Sequence, residues 1–346
     1  MFQSSNTKNL CMRIVSAFSL LFIATATQAS DIVGNKAVVT EYLEALGTDK
    51  FEEVSIKHQA DNFILARDEF AILKHNADDS NLKTVSQEIH IAISDRENEV
   101  TRVLAQDNRV AATYKFTGKH TGNLYGIAAT DKPLEIVGTA MFVMNDEGKI
   151  EESWLLGGEA GILRQLNAKL PERADGKLNL PPIVDDSRTY DEALAEHLAS
   201  PVDTPEWWHT RLLLSYKAKP ENRPDDYKFE GRPYSNLLRG GIDVIKYRGE
   251  ELGIEGGHGK SMSGRRDMIV DTVAEGDLAM MRFRLKATND GPLYGIPPGG
   301  GQLNDWEVGF AHFEGNEWVD AWWLKDELGF LLSIGTPEAF IFLVDE

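Results

Sequence analysis

Two ionisable residues lie in segments where proton transfer could occur. Asp326 follows the pair Trp322 and Trp323, and burial of a carboxyl group among such side chains raises its pKa toward neutrality. His120 lies in a loop-like stretch, and an imidazole titrates near neutral pH. Each residue also has a simpler interpretation. Asp326 could be a solvated carboxylate that caps the following helix, and His120 could be a surface residue.

Aromatic residues concentrate on segments that we predict to be strands. Such walls suit a flat apolar ligand that a few polar groups hold in place. His312 lies on an alternating strand, so it faces either this pocket or solvent. Two alternatives stay open: a packed core without a cavity, and packing of the tryptophans between domains. The predicted ligand-pocket residues are Tyr125, Phe142, Trp154, Tyr294, Trp306, His312 and Trp322.

The sequence shows no pattern typical of a metal or cofactor site. The eight histidines have neither H-x-H nor H-E-x-x-H spacing. The single cysteine, Cys11, lies in an N-terminal segment that we expect to be removed. No serine lies in a G-x-S-x-G motif. We therefore predict no metal and no cofactor.

The N-terminal segment predicts export through a signal peptide at residues 1–29. Lys8 and Arg13 supply positive charge, a short apolar run follows, and a small-x-small pattern places cleavage after Ala29. The apolar run is shorter than the roughly 20 residues that span a bilayer. A cleaved signal is therefore favoured over a membrane anchor, and we expect a periplasmic or secreted protein.

The charge balance excludes two classes of partner. The chain carries 55 acidic and 36 basic residues, a net charge of -19, and loss of Lys8 and Arg13 would make it more negative. Such a field repels phosphate backbones and anionic lipid surfaces. We expect no nucleic-acid partner, and no membrane partner after signal cleavage.

Two stretches of the chain resemble each other in residue type and spacing, which indicates a tandem duplication. From Val110 to Trp154, as from Leu278 to Trp322, the distance is 44 residues. The matching runs are Val110 to Phe116 with Leu278 to Arg284, and Gly122 to Ile127 with Gly291 to Ile296.

Each half predicts helices first and a run of antiparallel strands afterwards. This order indicates an α+β domain and not a doubly wound sheet. Thr204 followed by Pro205 is typical of a helix start. In the first half we predict a helix around residues 38–46, strands at 99–104, 110–116, 134–144 and 150–156, and a closing helix at 161–166. In the second half we predict strands at 268–273, 278–285, 305–313 and 318–324.

A chain of 346 residues exceeds what one hydrophobic core normally supports, so two domains are expected. We predict a first domain at 30–168 and a second at 204–346. The proline-containing segment 169–203 between them is predicted to be a linker with one helix near 191–198.

The segment from Phe116 to Leu166 resembles the closing half of SnoaL-like polyketide cyclases, which belong to the nuclear transport factor 2-like superfamily. The similarity rests on the loop Phe116 to Ile127, the turn Asp146 to Ile150, and Trp154 on the next strand. It covers residues 95–166 well and 265–335 more faintly.

This resemblance implies two tandem cone-shaped α+β-barrel domains, each a curved antiparallel sheet wrapped by helices around a pocket. It also implies cofactor-free aldol chemistry in which an aspartate serves as acid and base. Single-domain relatives pair through their open sheet faces, so the duplication implies an internal pseudo-dimer and a monomeric chain.

The sequence departs from the family pattern at the acidic positions. Family members carry one aspartate directly after the strand tryptophan and another a few residues later, but Leu155 and Trp323 occupy the first place here. At the later place the first half has Gly158 beside Glu159, and the second has Asp326 beside Glu327. The candidate catalytic residues are therefore Asp326, His120 and Glu159, with the second half as the expected site.

Two functions follow as hypotheses. The first is an exported SnoaL-like enzyme, a cyclase, isomerase or hydratase, that uses acid–base chemistry on a small apolar carbonyl compound. The alternative is a non-catalytic periplasmic module that binds a small ligand or another protein, because folds of this type host many functions.

Overall fold

The structure, a computed structural model, describes residues 31–76, 85–171, 188–225, 236–237, 262–292, 297–315 and 317–334. The predicted signal peptide and Tyr294 lie outside these ranges. Within them, no helix combines the length and apolar character needed to cross a bilayer.

The first unit is a sheet with helices on one face. Its strands lie in the order β1-β5-β4-β3-β2, with β1 parallel to β5 and the other neighbours antiparallel. Its elements are α1 (Ile32–Ala45), α2 (Phe51–His58), β1 (Gln59–Arg67), α3 (Ala71–Asn76), α4 (Val85–Ala92), β2 (Ile93–Gln106), β3 (Arg109–His120), β4 (Pro133–Met144), β5 (Ile150–Gly157) and α5 (Glu159–Leu166).

The second unit has the same plan. Its described strands lie in the order β6-β8-β9-β10-β11-β7, and β7 is parallel to β11. Its elements are β6 (Arg188–Thr189), α6 (Tyr190–Ala199), α7 (Pro205–Lys217), β7 (Asn236–Leu237), β8 (Met262–Glu275), β9 (Leu278–Asn289), β10 (Gln302–Glu314), β11 (Glu317–Lys325) and α8 (Glu327–Ile334). The predicted α+β class is therefore confirmed.

The starts of α6 and α7 follow from local sequence. Thr204 accepts a hydrogen bond from the backbone of Trp207, with Pro205 at the first helical position, as predicted. Thr189 and Glu192 form a reciprocal capping box at the start of α6. Helix α6 lies in the segment predicted to be a linker, but its Tyr190 belongs to the hydrophobic core of the second unit.

The hairpins of the two units correct the alignment of the repeat. Gln106 pairs with Arg109 across the β2–β3 turn, and Glu275 pairs with Leu278 across the β8–β9 turn. Arg109, and not Val110, is therefore equivalent to Leu278. The difference of one residue between the two alignments matters, because a shift of one residue moves every side chain of a strand to the opposite face of the sheet.

When Arg109 is aligned with Leu278, the β-bulges of the two sheets also align. The two bulges in β2 and the two in β8 fall at equivalent positions, and a bulge re-aims the strand that carries it. The register shifts lie between Ser94 and Glu97 and between Val100 and Arg102 in β2, and between Ser263 and Arg266 and between Ile269 and Asp271 in β8.

Each sheet has an inner face toward its helices and an outer face toward the other unit. The outer faces form one apolar contact to which the two units contribute equivalent positions, for example Leu104 and Val273, or Met141 and Phe310. Helix α8 of the second unit also packs into the first core through Phe330. The two units are therefore joined through extensive apolar burial, the main stabilising term in such contacts.

Candidate functional site

Two of the predicted catalytic residues, Glu159 and Asp326, lie in different units and meet at a common arginine. Arg67, at the end of β1, has its Nη2 atom 2.9 Å from Oδ2 of Asp326 and 3.5 Å from Oε1 of Glu159. Its Nη1 donates to the carbonyl of Leu155 at 2.7 Å. We call Arg67, Glu159 and Asp326 the inter-unit network.

Glu159 is buried at the start of α5. Its carboxylate accepts hydrogen bonds from the backbone N–H groups of Ile72 and Leu73, at 3.2 and 2.7 Å. Burial raises its pKa to about 8; Arg67 opposes this rise, and the nearby Asp326 adds to it.

Asp326 is the N-cap residue of α8. Its Oδ1 accepts from the backbone N–H of Gly329 at 3.1 Å, while Oδ2 faces Arg67. The capping role therefore matches the simpler interpretation of the sequence. The side chain is buried and paired, however, and not solvated.

His120 lies buried at the end of β3, neither at a pocket mouth nor on the surface. Its Nδ1 is 3.0 Å from the hydroxyl of Thr130, and its backbone N–H donates to the carbonyl of Lys132. Burial lowers the pKa of the imidazole. The residue closes the loop that precedes β4.

The six predicted pocket residues that the structure describes do not come together in one cavity. Tyr125 and Phe142 are buried in the first hydrophobic core. The three tryptophans lie between the sheets, where Trp154 packs edge-on against Trp306 at 5.3 Å and Trp322 lies at the margin of the contact. They match the inter-domain alternative left open by the sequence.

His312 is partly exposed, with Nε2 3.3 Å from the carboxylate of Asp277. It pairs with Leu278 near the β8–β9 turn, away from the inner face. The position of the seventh predicted residue, Tyr294, is outside the described residues.

The inner face of the first sheet carries a closed polar cluster. Glu69 is fully buried and receives hydrogen bonds from the hydroxyl of Tyr114 at 2.8 Å and from both terminal nitrogens of Arg96. The guanidinium of Arg96 lies 3.9 Å from the ring centroid of Phe116. Burial, reinforced by Glu69, holds the pKa of Tyr114 well above its usual value. This saturated cluster is a core element with no free reactive group.

The inner face of the second sheet carries a different set of ionisable groups. Asp305 on β10 is buried, and Nζ of Lys325 on β11 lies 2.9 Å from its Oδ2. Among the described residues, no donor meets both the distance and the angle of a hydrogen bond to either carboxylate oxygen of Asp305. Burial raises the pKa of Asp305 to about 8; Lys325 opposes this rise, and Asp326 and Glu307 add to it.

A second carboxylate on the same face is shifted in the opposite direction. Asp267 on β8 lies 2.6 Å from the ammonium of Lys217 and receives hydrogen bonds from Arg265. Burial opposes ionisation of Asp267, but the two cations outweigh it and lower its pKa. Carboxyl groups whose pKa values are driven apart are the usual arrangement of an acid–base site. We call Asp267, Lys217, Asp305, Glu307 and Lys325 the inner-face cluster.

The first unit lacks this cluster at equivalent positions. Strand pairing places Ile136 and Gly138 of β4 where the second unit has Asp305 and Glu307. It places Gly157 at the position of Lys325. Among the described residues, the inner-face cluster is therefore a feature of the second unit alone.

Sequence reasoning missed Asp305 and Lys325. The signal that could have found them is the period-2 pattern of β10, because Leu303, Asp305 and Glu307 share a face with the buried Ala311. Among the described residues, no three side chains of the types that bind metals come together.

Comparison with known proteins identifies the first unit. Residues 36–166 match the family model of the SnoaL-like polyketide cyclases, so a SnoaL-like domain lies in this part of the chain. The sequence matches none of the curated proteins.

Three solved structures show a likeness to part of the chain. TsrD from Streptomyces laurentii is 14% identical, with 40% of this chain and 99% of that one covered and a TM-score of 0.33. IdmH from Streptomyces antibioticus is 19% identical over 39% and 99%, with a TM-score of 0.33. AclR from Streptomyces galilaeus is 19% identical over 39% and 96%, with a TM-score of 0.32.

Proposed function

We propose that the protein is a cofactor-free acid–base enzyme of SnoaL-like type that acts on a small carbonyl compound at the inner face of the second unit. The observation that carries this proposal is the buried Asp305 beside Lys325, with a pKa of about 8. An acid–base group works best when its pKa lies near the working pH.

In this proposal Asp305, when ionised, removes a proton from the carbon next to the substrate carbonyl. The C–H electron pair becomes the enolate double bond, and negative charge develops on the carbonyl oxygen. The ammonium of Lys325 is placed to donate a hydrogen bond to that oxygen, the usual way in which a site stabilises such charge.

The protonated Asp305 then returns its proton. In an isomerisation the proton goes to a different carbon of the enolate. In a cyclisation the enolate carbon first attacks a second carbonyl, a C–C bond forms, and the new alkoxide takes the proton. Neither route needs an oxidant or a reductant, and the carboxylate ends each cycle as it began.

Exchange of α-protons with deuterated water tests this proposal without knowledge of the natural substrate. Methyl acetoacetate, acetylacetone and acetophenone would each be incubated with the protein, and loss of the α-proton signal would be followed by NMR. We expect exchange faster than in buffer alone for at least one compound, and this excess rate should fall at least 100-fold in Asp305→Asn. Asp277→Asn, at the exposed β8–β9 turn, is the matched control and should keep its rate per folded molecule. Exchange no faster than in buffer alone for all three compounds, or an active Asp305→Asn, contradicts the proposal.

The non-catalytic alternative is favoured by one observation: the side chains of Asp305 and Lys325 are at most 1% exposed. A binding module would then bind an apolar carbonyl compound without exchanging its protons. Melting shifts with the same three compounds, in the absence of exchange, would support this alternative.

We also propose that the protein is exported and that its two units pair with each other within one chain. The N-terminal charge and apolar run support export with cleavage after Ala29, and N-terminal sequencing of the secreted or periplasmic protein would test it. The matching strand orders and bulges support a duplication whose two units form an internal pseudo-dimer.

A further inference from the structure

A cleft of about 420 Å³ lies between the two units, away from both the inner-face cluster and the inter-unit network. One wall is the β2–β3 hairpin of the first unit, with Gln106 and Arg109. The other wall is the start of α7 and strand β8 of the second, with Trp207 and Thr272. Its size is in the range of small-molecule sites.

The cleft breaks the pseudo-symmetry of the molecule. At the equivalent hairpin of the second unit, Glu275 contacts Lys36 of α1 through an ion pair of 2.7 Å. Gln106 occupies the equivalent position in the first unit, where the cleft lies between the hairpin and α7.

The charged side chains that line the cleft already interact with other groups of the protein. Arg109 forms an ion pair with Asp271, which also pairs with Arg282. Glu206 accepts a hydrogen bond from the backbone of Gly276 at 3.1 Å, and hydrogen bonds, first from its own backbone N–H, lower its pKa. Because the lining holds two carboxylates, Asp107 and Glu206, against the one guanidinium of Arg109, the cleft does not favour an anion.

The remaining polar groups of the lining are suited to form hydrogen bonds with the hydroxyl groups of a ligand. The carbonyl oxygen of Gln106 accepts from the backbone of Ala274 at 2.9 Å, which leaves its NH2 group as the donor end. Thr210 and Thr272 each offer a hydroxyl, which both donates and accepts. The half-buried indole of Trp207, stacked on His197 with ring centroids 4.9 Å apart, supplies an apolar surface.

We propose that this cleft binds a small neutral polyhydroxyl compound of monosaccharide size. Its hydroxyls bond to the amide and threonine groups, while its C–H surface packs on Trp207. This site is independent of the acid–base chemistry proposed for Asp305. A result that contradicts one of the two proposals therefore leaves the other unaffected.

Isothermal titration calorimetry with D-glucose, D-galactose, D-mannose and D-ribose, each titrated alone, tests the proposal. We expect at least one Kd of about 1 mM or below. Thr272→Val keeps the shape of a strand residue but removes one hydroxyl, so it should weaken binding about fivefold. Trp207→Ala should weaken it further. Thr288→Val, on the neighbouring strand β9 and outside the cleft, is the matched control and should bind as the wild type does.

Three results would overturn the proposal. One is a Kd above about 10 mM for all four sugars. Another is sugar binding that Thr272→Val and Trp207→Ala leave unchanged, with both variants folded by circular dichroism. The third is binding of inorganic phosphate or glycine, titrated as charged comparators, in preference to every sugar.

Discussion

Gln106 and Glu275 occupy equivalent positions in the two units, and each accepts a hydrogen bond from the backbone of the other unit. The N–H of Ala105 donates to Glu275 at 2.8 Å, and the N–H of Ala274 donates to Gln106 at 2.9 Å. Such reciprocity is the mark of a two-fold interface, here formed within one chain. It fixes the register of the two outer faces against each other.

Substitution at Glu275 tests the role of this reciprocal pair. Glu275→Gln keeps an acceptor for the N–H of Ala105, whereas Glu275→Ala leaves that amide without its partner. A part-buried amide that loses its acceptor costs about 1–3 kcal/mol. We expect urea unfolding to show a lower midpoint for Glu275→Ala than for Glu275→Gln. Equal midpoints would show that the hydrogen bond does not stabilise the interface.

The inter-unit network makes Arg67 a stabilising residue. Arg67→Met would leave Glu159 and Asp326 buried without their cation, at a cost of about 3–5 kcal/mol in the free energy of unfolding. Urea titration measures this loss. Lys57→Met is the control, because Lys57 pairs with Glu41 at the surface and its loss should leave the midpoint unchanged. A wild-type midpoint for Arg67→Met would contradict the assignment.

Glu159 predicts a pH dependence of stability. Its pKa is about 8 in the folded protein against an ordinary value of 4.5, so the folded state retains a proton that the unfolded state releases. Its contribution is therefore full below about pH 4.5 and is lost as the pH rises toward about 8. One such proton changes the free energy of unfolding by at most about 1.4 kcal/mol per pH unit.

The variant Glu159→Gln removes this titration. Urea unfolding at several pH values between 5 and 8 should give a flatter decline for the variant than for the wild type. Parallel declines would show that Glu159 is ionised in the folded protein across this range.

The covered outer faces predict the oligomeric state. Each unit already uses its apolar sheet face within the chain, through residues such as Trp154 and Phe310. We expect light scattering to give the mass of a single chain at all concentrations. A stable dimer or tetramer would require a further interface and would count against an internal pseudo-dimer.

Much of the fold was accessible from the sequence, because it depends on local patterns. Alternating hydrophobicity predicted the strands that became β3, β4, β9 and β10, although their ends lie further out. Thr204 with Pro205 marked the start of α7. Which face of each strand is buried is harder to predict, since a one-residue shift in the repeat reverses it.

The site was harder to predict because its parts are distant in sequence. Arg67 and Asp326 are separated by 259 residues, and only the pairing of two units brings them together. Asp305 and Lys325 lie on adjacent strands, yet nothing in a single sequence shows that they face each other. The family resemblance implies an acid–base role for Asp326, and in the structure this residue caps α8 and belongs to the inter-unit network.

Direct titration of Asp305 tests the central claim, that the second unit holds an acid–base group poised near neutral pH. The protein would be labelled with 13C at aspartate carboxyl carbons, and the Asp305 signal would be assigned by its absence in Asp305→Asn. We predict a titration midpoint near 8. A midpoint near the ordinary aspartate value of 3.8 would contradict the account, because the carboxylate would then be a permanently charged partner of Lys325.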